Sequence, residues 1–150
     1  MVRNENRIFP DIEIKLPERK TRFSAGYDFY SNEDYVLKPN EMHVFWTDTK
    51  IELALNLFLQ ISIRSSLGGK GLSLANSIGI IDSDYYENES NDGNIGIMIR
   101  NNSKSNIKIN RRDRIAQGII LSYFTVEENE VLYDKRKGGF GSTKDVWLFS

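Results

Sequence analysis

The sequence predicts an all-β domain, a sandwich or barrel built from many short strands. Its apolar residues recur with a period of two rather than 3.6. Turn-rich pieces separate these runs at fairly even spacing. No stretch carries an amphipathic helix longer than about two turns.

The runs come in order along the chain. "MHVFWT" (42–47) is β-rich through Val44 and its aromatics. His43, inside it, is expected to be a partly buried sheet residue and not a catalytic base. "LFLQISIR" (57–64) puts Leu57, Leu59, Ile61 and Ile63 on one side and Gln60, Ser62 and Arg64 on the other. "NIGIMIR" repeats this with Ile95, Ile97 and Ile99, and "NIKIN" with Ile107 and Ile109. "RIAQGIILSYF" (114–124) is the last such run, with Gln117 as its odd polar member. Between them lie "SSLGGKG", "ENESNDGN", "RNNSKSN" and "KGGFGS". "ENESNDGN" reads as a polar hairpin tip exposed to water. No linker or repeat interrupts the 150 residues, so one domain is expected.

Composition narrows the function. A net charge of −1 argues against a protein that grips nucleic acid directly. With no Cys, disulfides, thiolate zinc sites and a Cys nucleophile are excluded. A single His leaves no His-rich metal cage. The start has no apolar run of signal-peptide length, and no segment approaches a membrane span. No membrane partner is expected, and a reducing cytoplasm is the expected setting.

Five stretches carry chemistry. In "IRSSLGGKGL", Arg64, two hydroxyls and a Gly pair could cradle phosphate or form a plain polar turn; the spacing is not that of a Walker loop. "LANSIGIIDSDYYENE" delivers Asp82 and Asp84 at a strand end, followed by Tyr85. Such acids hold a metal, activate water, or stand solvated in a turn. "SAGYDFYS" places Asp28 in an expected tight turn, as a cap or near a metal. "RRDRIAQGII" opens a strand with charge, Asp113 pairing locally. "RKGGFGSTK" (136–144) brackets Phe140 with glycines and adds Arg136, Ser142 and Thr143.

Taken in order, "AGYDFYS", "RSSLGGKGL", "NSIGIIDSDYY", "RRDRIAQ" and "RKGGFGST" resemble the five motifs of the trimeric dUTPases, in a bacterial and phage-like branch. The resemblance covers residues 24 to 143. It implies a jelly-roll-like β-barrel and a homotrimer with sites at subunit interfaces. It divides the chain into a barrel, 1–135, and a C-terminal arm, 136–150. The arm would be disordered without nucleotide and close over a neighbour's site with it. The implied reaction is hydrolysis of dUTP to dUMP and pyrophosphate, which limits uracil in DNA and supplies dUMP for dTMP synthesis. Mg²⁺ would be chelated by the triphosphate.

Residue by residue, the resemblance makes Asp82 the base that deprotonates the attacking water. Asp28 would meet the metal through its bound waters. Arg64, Ser65, Ser66 and Gln117 would bind phosphate oxygens, joined by Arg136, Ser142 and Thr143 from the arm. Asn76 would read the uracil edge, with Gly79 and backbone groups around Gly96. Tyr85 would pack under the deoxyribose and Phe140 would stack on the base. The chain departs from the common pattern at Ser66, usually Gly, and at Lys144, also usually Gly. Arg136 stands two residues before Gly138 instead of three, and residues 87–92 are an insertion. The apolar "DVWLFS" end is expected to dock on a neighbouring subunit.

Two rivals follow. dCTP deaminases share the fold and carry "RSSL". They follow with Gly-Trp where this chain has Asp84-Tyr85, and they need a Glu in a strand that here reads "NIGIMIRN", without any acid. The other rival is an additional regulatory role, in which the 87–92 insertion or the apolar end binds a protein partner.

Overall fold

In residues 57–63 the side chains sort by parity. Leu59 and Ile61 are 0% and 2% exposed, while Gln60 and Ser62 face the other way and remain partly accessible. That sorting is what a two-residue period produces on a pleated strand with one face on the core. A computed structural model describes residues 1–4, 7–126 and 139. The described chain is almost wholly β.

Its strands are β1 (Val2–Arg3), β2 (Tyr27–Tyr30), β3 (Tyr35–Leu37), β4 (Met42–Trp46), β5 (Thr49–Lys50) and β6 (Leu57–Ile63). A four-residue helix, α1 (Ser65–Gly68), precedes β7 (Leu72–Leu74), β8 (Gly79–Asp82), β9 (Gly96–Asn101), β10 (Ile107–Ile109) and β11 (Arg114–Ser122). All named pairings are antiparallel. The largest sheet has the order β2-β11-β6-β8, and a second runs β4-β9-β7. The pairs β1-β5 and β3-β10 complete the fold. Neighbours distant in sequence show that connections cross between layers, as a jelly-roll-like fold requires.

One core joins the layers. Phe29, Leu37, Phe45, Leu59, Ile95, Ile97, Ile99, Ile109 and Ile115 are at most 1% exposed. Gly118 lets β11 lie close: a Cβ there would come 2.8 Å from both Leu59 and Phe29. The expected β-rich runs at 42–47, 57–64, 94–100, 106–110 and 114–124 are all strands. His43 is a half-buried sheet residue, stacked 3.7 Å from Tyr35, with Nε2 2.8 Å from Glu33 Oε1.

Three local expectations are corrected. Asp28 lies not in a turn but within β2, whose aromatic neighbours favour strand and whose backbone pairs with β11. "SSLGGKG" opens with a helical turn, α1, anchored by buried Leu67. "ENESNDGN" is only in part a solvated tip: Glu87, Glu89 and Ser90 are exposed. Asn88, Gly93 and Asn94 are buried, and the segment folds back on the barrel. Side-chain hydrogen bonds from asparagines drive this, because such residues bond their own backbone in turns. Asn88 Oδ1 accepts from the Ser90 and Asn91 amides at 3.0 and 3.2 Å.

Lys50 ties that turn down. Its side chain is 8% exposed, with Nζ 3.0 Å from Asp92 and 3.2 Å from Glu87. Burial pulls its pKa down, but the hydrogen bonds to Asp92 and Glu87 outweigh this and it titrates above its usual range. Both acids have positive φ, 54° for Glu87 and 56° for Asp92, a conformation that costs a non-glycine residue energy. Lys50→Met is therefore expected to destabilise the fold by about 2 kcal/mol. That is less than the loss for fully buried ion pairs, because both acids stay partly exposed. The midpoint of urea unfolding measures it.

Candidate active site

The outer face of the large sheet carries the polar residues of interest. Gln117 pairs with Asp28 on one side and Ser62 on the other, so the three share one row. Phe58 pairs with Asp82, placing that acid on the same face but four residues along β6. Asp28 is on one edge strand and Asp82 on the opposite edge. From strand geometry, four residues along and three strands across separate their Cα atoms by about 20 Å.

Around Asp28 lies an open cationic pocket of about 350 Å³, lined by Lys20, Gly26, Asp28, Arg64, Arg114 and Gln117 among others. Three cations face one carboxylate there. Asp28 Oδ2 accepts from Arg64 Nη1 at 3.3 Å and from Arg114 Nη1 at 3.1 Å. The acid thereby orients both guanidiniums while the pocket keeps an excess of positive charge. Arg114 was not among the residues singled out in the sequence; only its place in "RRDR" hinted at it. Lys20 pairs with Glu18, whose carboxyl is held at about 2 by hydrogen bonds from Lys15, Lys20 and Tyr30. Because that pKa is depressed, the pair is intact above the ordinary carboxylate range and is lost only as pH falls towards 2. Ser65 and Ser66 open α1 beside Arg64, exposed to solvent.

At the other end is a cleft of about 130 Å³ lined by Asn76, Gly79, Ile80, Tyr85, Gly96 and Gly139, with aliphatic neighbours. β7 and β8 frame it, and Asn76 is exposed on the turn between them. Ser77 takes a φ of 64° to make that turn. Gly96 contributes only backbone to the wall; a Cβ there would come 2.9 Å from Val44. Asp82 ends β8, and a 3₁₀ turn, Ser83–Tyr85, follows at once. Asp82 caps that turn in extended backbone (φ −78°, ψ 162°), three residues before Tyr85. Tyr85 is 5% exposed.

Asp28, Arg64 and Gln117 thus come together, as do Asn76, Gly79, Tyr85 and Gly96, with Asp82 adjoining. The two groups stay apart within one chain. Arg136, Phe140, Ser142 and Thr143 lie outside the described residues, as do residues 145–150. Gly139 is described, packed so closely that a Cβ would meet Tyr85 Cε2 at 2.8 Å. No group of three or more His, Cys, Asp or Glu among the described residues could hold a metal. No described helix is long and apolar enough to cross a membrane.

An open cationic pocket, a narrow polar-edged cleft and an acid at the end of β8, on a jelly-roll-like fold, are the parts expected of one class, the all-β nucleotide hydrolases. The dUTPase family model matches residues 12–144. The chain belongs to the dUTPase family. It is 36% identical over 132 residues to the deoxyuridine 5'-triphosphate nucleotidohydrolase of Lactococcus lactis, covering 87% of this chain and 88% of that one. Among solved structures it resembles the dUTPase of Streptococcus mutans, with a TM-score of 0.72 and 31% identity over 75% of this chain and 89% of the other. It also resembles a mutant dUTPase from phage phi11 of S. aureus, described as coordinating a structural Mg(II) ion. There the TM-score is 0.67, with 26% identity over 89% and 95% of the two chains.

Proposed function

We propose that this enzyme hydrolyses dUTP to dUMP and pyrophosphate by attack of water on the α-phosphorus, in a homotrimer whose sites are shared between subunits. The observation that carries the shared site is the separation of Asp82 from the Arg64 pocket. A base must stand within about 3 Å of its water, and phosphate donors within a similar distance of the same phosphoryl group. Groups about 20 Å apart on one sheet cannot do both. Two copies can, if the cleft of one faces the cationic pocket of the next.

In this reading uracil enters the cleft. Asn76 has an amide able to donate and accept along the uracil edge, and the backbone at Gly79 and Gly96 completes the wall. Groups buried against uracil would be left unpaired by a wrong ring, which is how such a site rejects cytosine. The thymine methyl finds no room. Tyr85 supports the deoxyribose. Asp82 takes the proton from water. Arg64, Gln117 and the hydroxyls of Ser65 and Ser66 hold phosphate oxygens, as Arg136, Ser142 and Thr143 of the 136–150 arm do from the other side. Phe140 stacks on the base.

A lone hard carboxylate already engaged by two guanidiniums suits a metal met through water, not one caged by protein. Asp28 would hold Mg²⁺ in that way, and the ion would supply charge neutralisation along the triphosphate. We keep the cytoplasm as the setting. A regulatory protein partner would meet the 87–92 insertion, whose outer edge exposes Glu89 and Ser90, or the 145–150 end.

The test is a rate panel over dUTP, dCTP, dTTP and UTP, with and without Mg²⁺, following pyrophosphate and ammonia. Pyrophosphate from dUTP alone is expected. Ammonia from dCTP would overturn the assignment in favour of a deaminase.

A further inference from the structure

We propose that Asn91, in the 87–92 turn inserted after Tyr86, is a positioning residue that sets how strongly the enzyme rejects a ribonucleotide. The inference rests on the reading of Tyr85 as the support of the deoxyribose. Steric rejection of a 2′-hydroxyl works only if the supporting ring cannot retreat, and here the ring is held by the turn.

The phenol is committed on two sides. Its hydroxyl donates to the Asn94 carbonyl at 2.8 Å and accepts from Asn91 Nδ2 at 2.8 Å. The backbone carbonyl of Tyr85 accepts from Asn88 Nδ2 at 2.8 Å. Asn91 is itself held: its Oδ1 accepts from Asn88 Nδ2 at 2.7 Å and from the Gly93 amide at 3.1 Å. The turn is pinned from outside by Lys50 on Glu87 and Asp92. Asn4 Nδ2 adds a bond to the Asp92 carbonyl at 3.0 Å. At Gly93 (φ 78°) a Cβ would stand 2.9 Å from the Tyr85 carbonyl, so the turn wraps the tyrosine closely. The polar atoms that fix the Asn91 side chain lie in the turn or on Tyr85. Its amide group is therefore the side-chain link between the turn and the ring, beside the bond from the phenol to the Asn94 carbonyl.

The experiment measures kcat/KM for dUTP and UTP in wild type, Asn91→Ala, Tyr85→Phe and the double variant, with thermal unfolding to verify folding. Each single change is expected to lower the dUTP-to-UTP ratio about tenfold, chiefly by raising kcat/KM for UTP. The double variant should fall no further than the larger single, since both changes cut the same link. An unchanged ratio in Asn91→Ala, or an equal further loss when it is added to Tyr85→Phe, overturns the proposal. Simple destabilisation lowers activity on both nucleotides and leaves the ratio where it was. Should Asn91→Ala not fold, Asn91→Asp takes its place, since it keeps the acceptor for Asn88 and Gly93 and loses only the Nδ2 donor to Tyr85: an unchanged ratio there overturns the proposal, a tenfold fall supports it. A wild type that does not hydrolyse dUTP defeats the functional reading and this inference with it. A wild type that hydrolyses and discriminates, with unchanged variants, defeats only the inference.

Discussion

Asp82→Asn is expected to lower kcat for dUTP by about a thousandfold while nucleotide affinity changes little. The carboxylate stands at the end of β8, next to Ile81 of the cleft wall, held by the last β8 pairing to Phe58. Its amide isostere keeps shape and loses basicity. General-base catalysis contributes about 10²–10⁴ in rate, and water is a poor nucleophile without it. A kcat within threefold of wild type would remove Asp82 from the role. The same variant tests the shared site. Arg64→Ala should be inactive for the other reason, loss of phosphate binding. If one subunit supplies Asp82 and another Arg64, denaturing and refolding the two dead variants together regenerates whole sites. Random assortment then returns roughly a quarter of wild-type activity. No recovery would mean that both residues act from one chain, against the distance between them.

Ending the chain at residue 135 is expected to cut kcat/KM for dUTP by about a hundredfold and to leave the unfolding temperature within about 2 °C. Among the described residues the buried core cluster runs from Phe29 to Ala116, and the truncation removes none of these. What is lost is the proposed contact of Phe140 with uracil, worth roughly 1–3 kcal/mol by the usual measure of base stacking, and the arm's phosphate contacts. Gly139 already stands against Tyr85, the residue proposed to carry the sugar. Phe140→Ala alone should account for about tenfold, and Phe140→Trp should restore most of it. Full activity in the truncated enzyme would refute the arm as a lid.

Strands whose apolar residues alternate for five or more positions were legible, because burial of one face writes the pleat into the sequence. β6 and β9 are of this kind, and β11 was legible as a run dense in Ile. The short strands β2, β3 and β7 were not, since three or four residues carry too little pattern and are recruited by their neighbours. Asp28 shows the consequence: the motif resemblance marked it as functional, yet its place in a strand comes from pairing with Gln117 of β11, 89 residues further along the chain (117 − 28). The insertion shows the opposite failure. Its polarity read as exposure, whereas asparagines bury well once their amides bond each other and the backbone.

By itself the sequence determined the all-β class and the order of the five motifs, and it is the resemblance of those motifs that proposes the acid, the tyrosine and the phosphate-binding residues. Strand period and motif order depend on residue type and local spacing, which are one-dimensional properties. Only the tertiary structure decided that Asp28 binds Arg64 and Arg114 together, that Lys50 and the asparagine turn grip Tyr85, and that Asp82 stands at the far edge of the sheet from the cationic pocket. Each of these is a relation between segments brought together by strand pairing and burial. No local pattern encodes it, because the free energy that fixes it is shared by residues far apart in the chain.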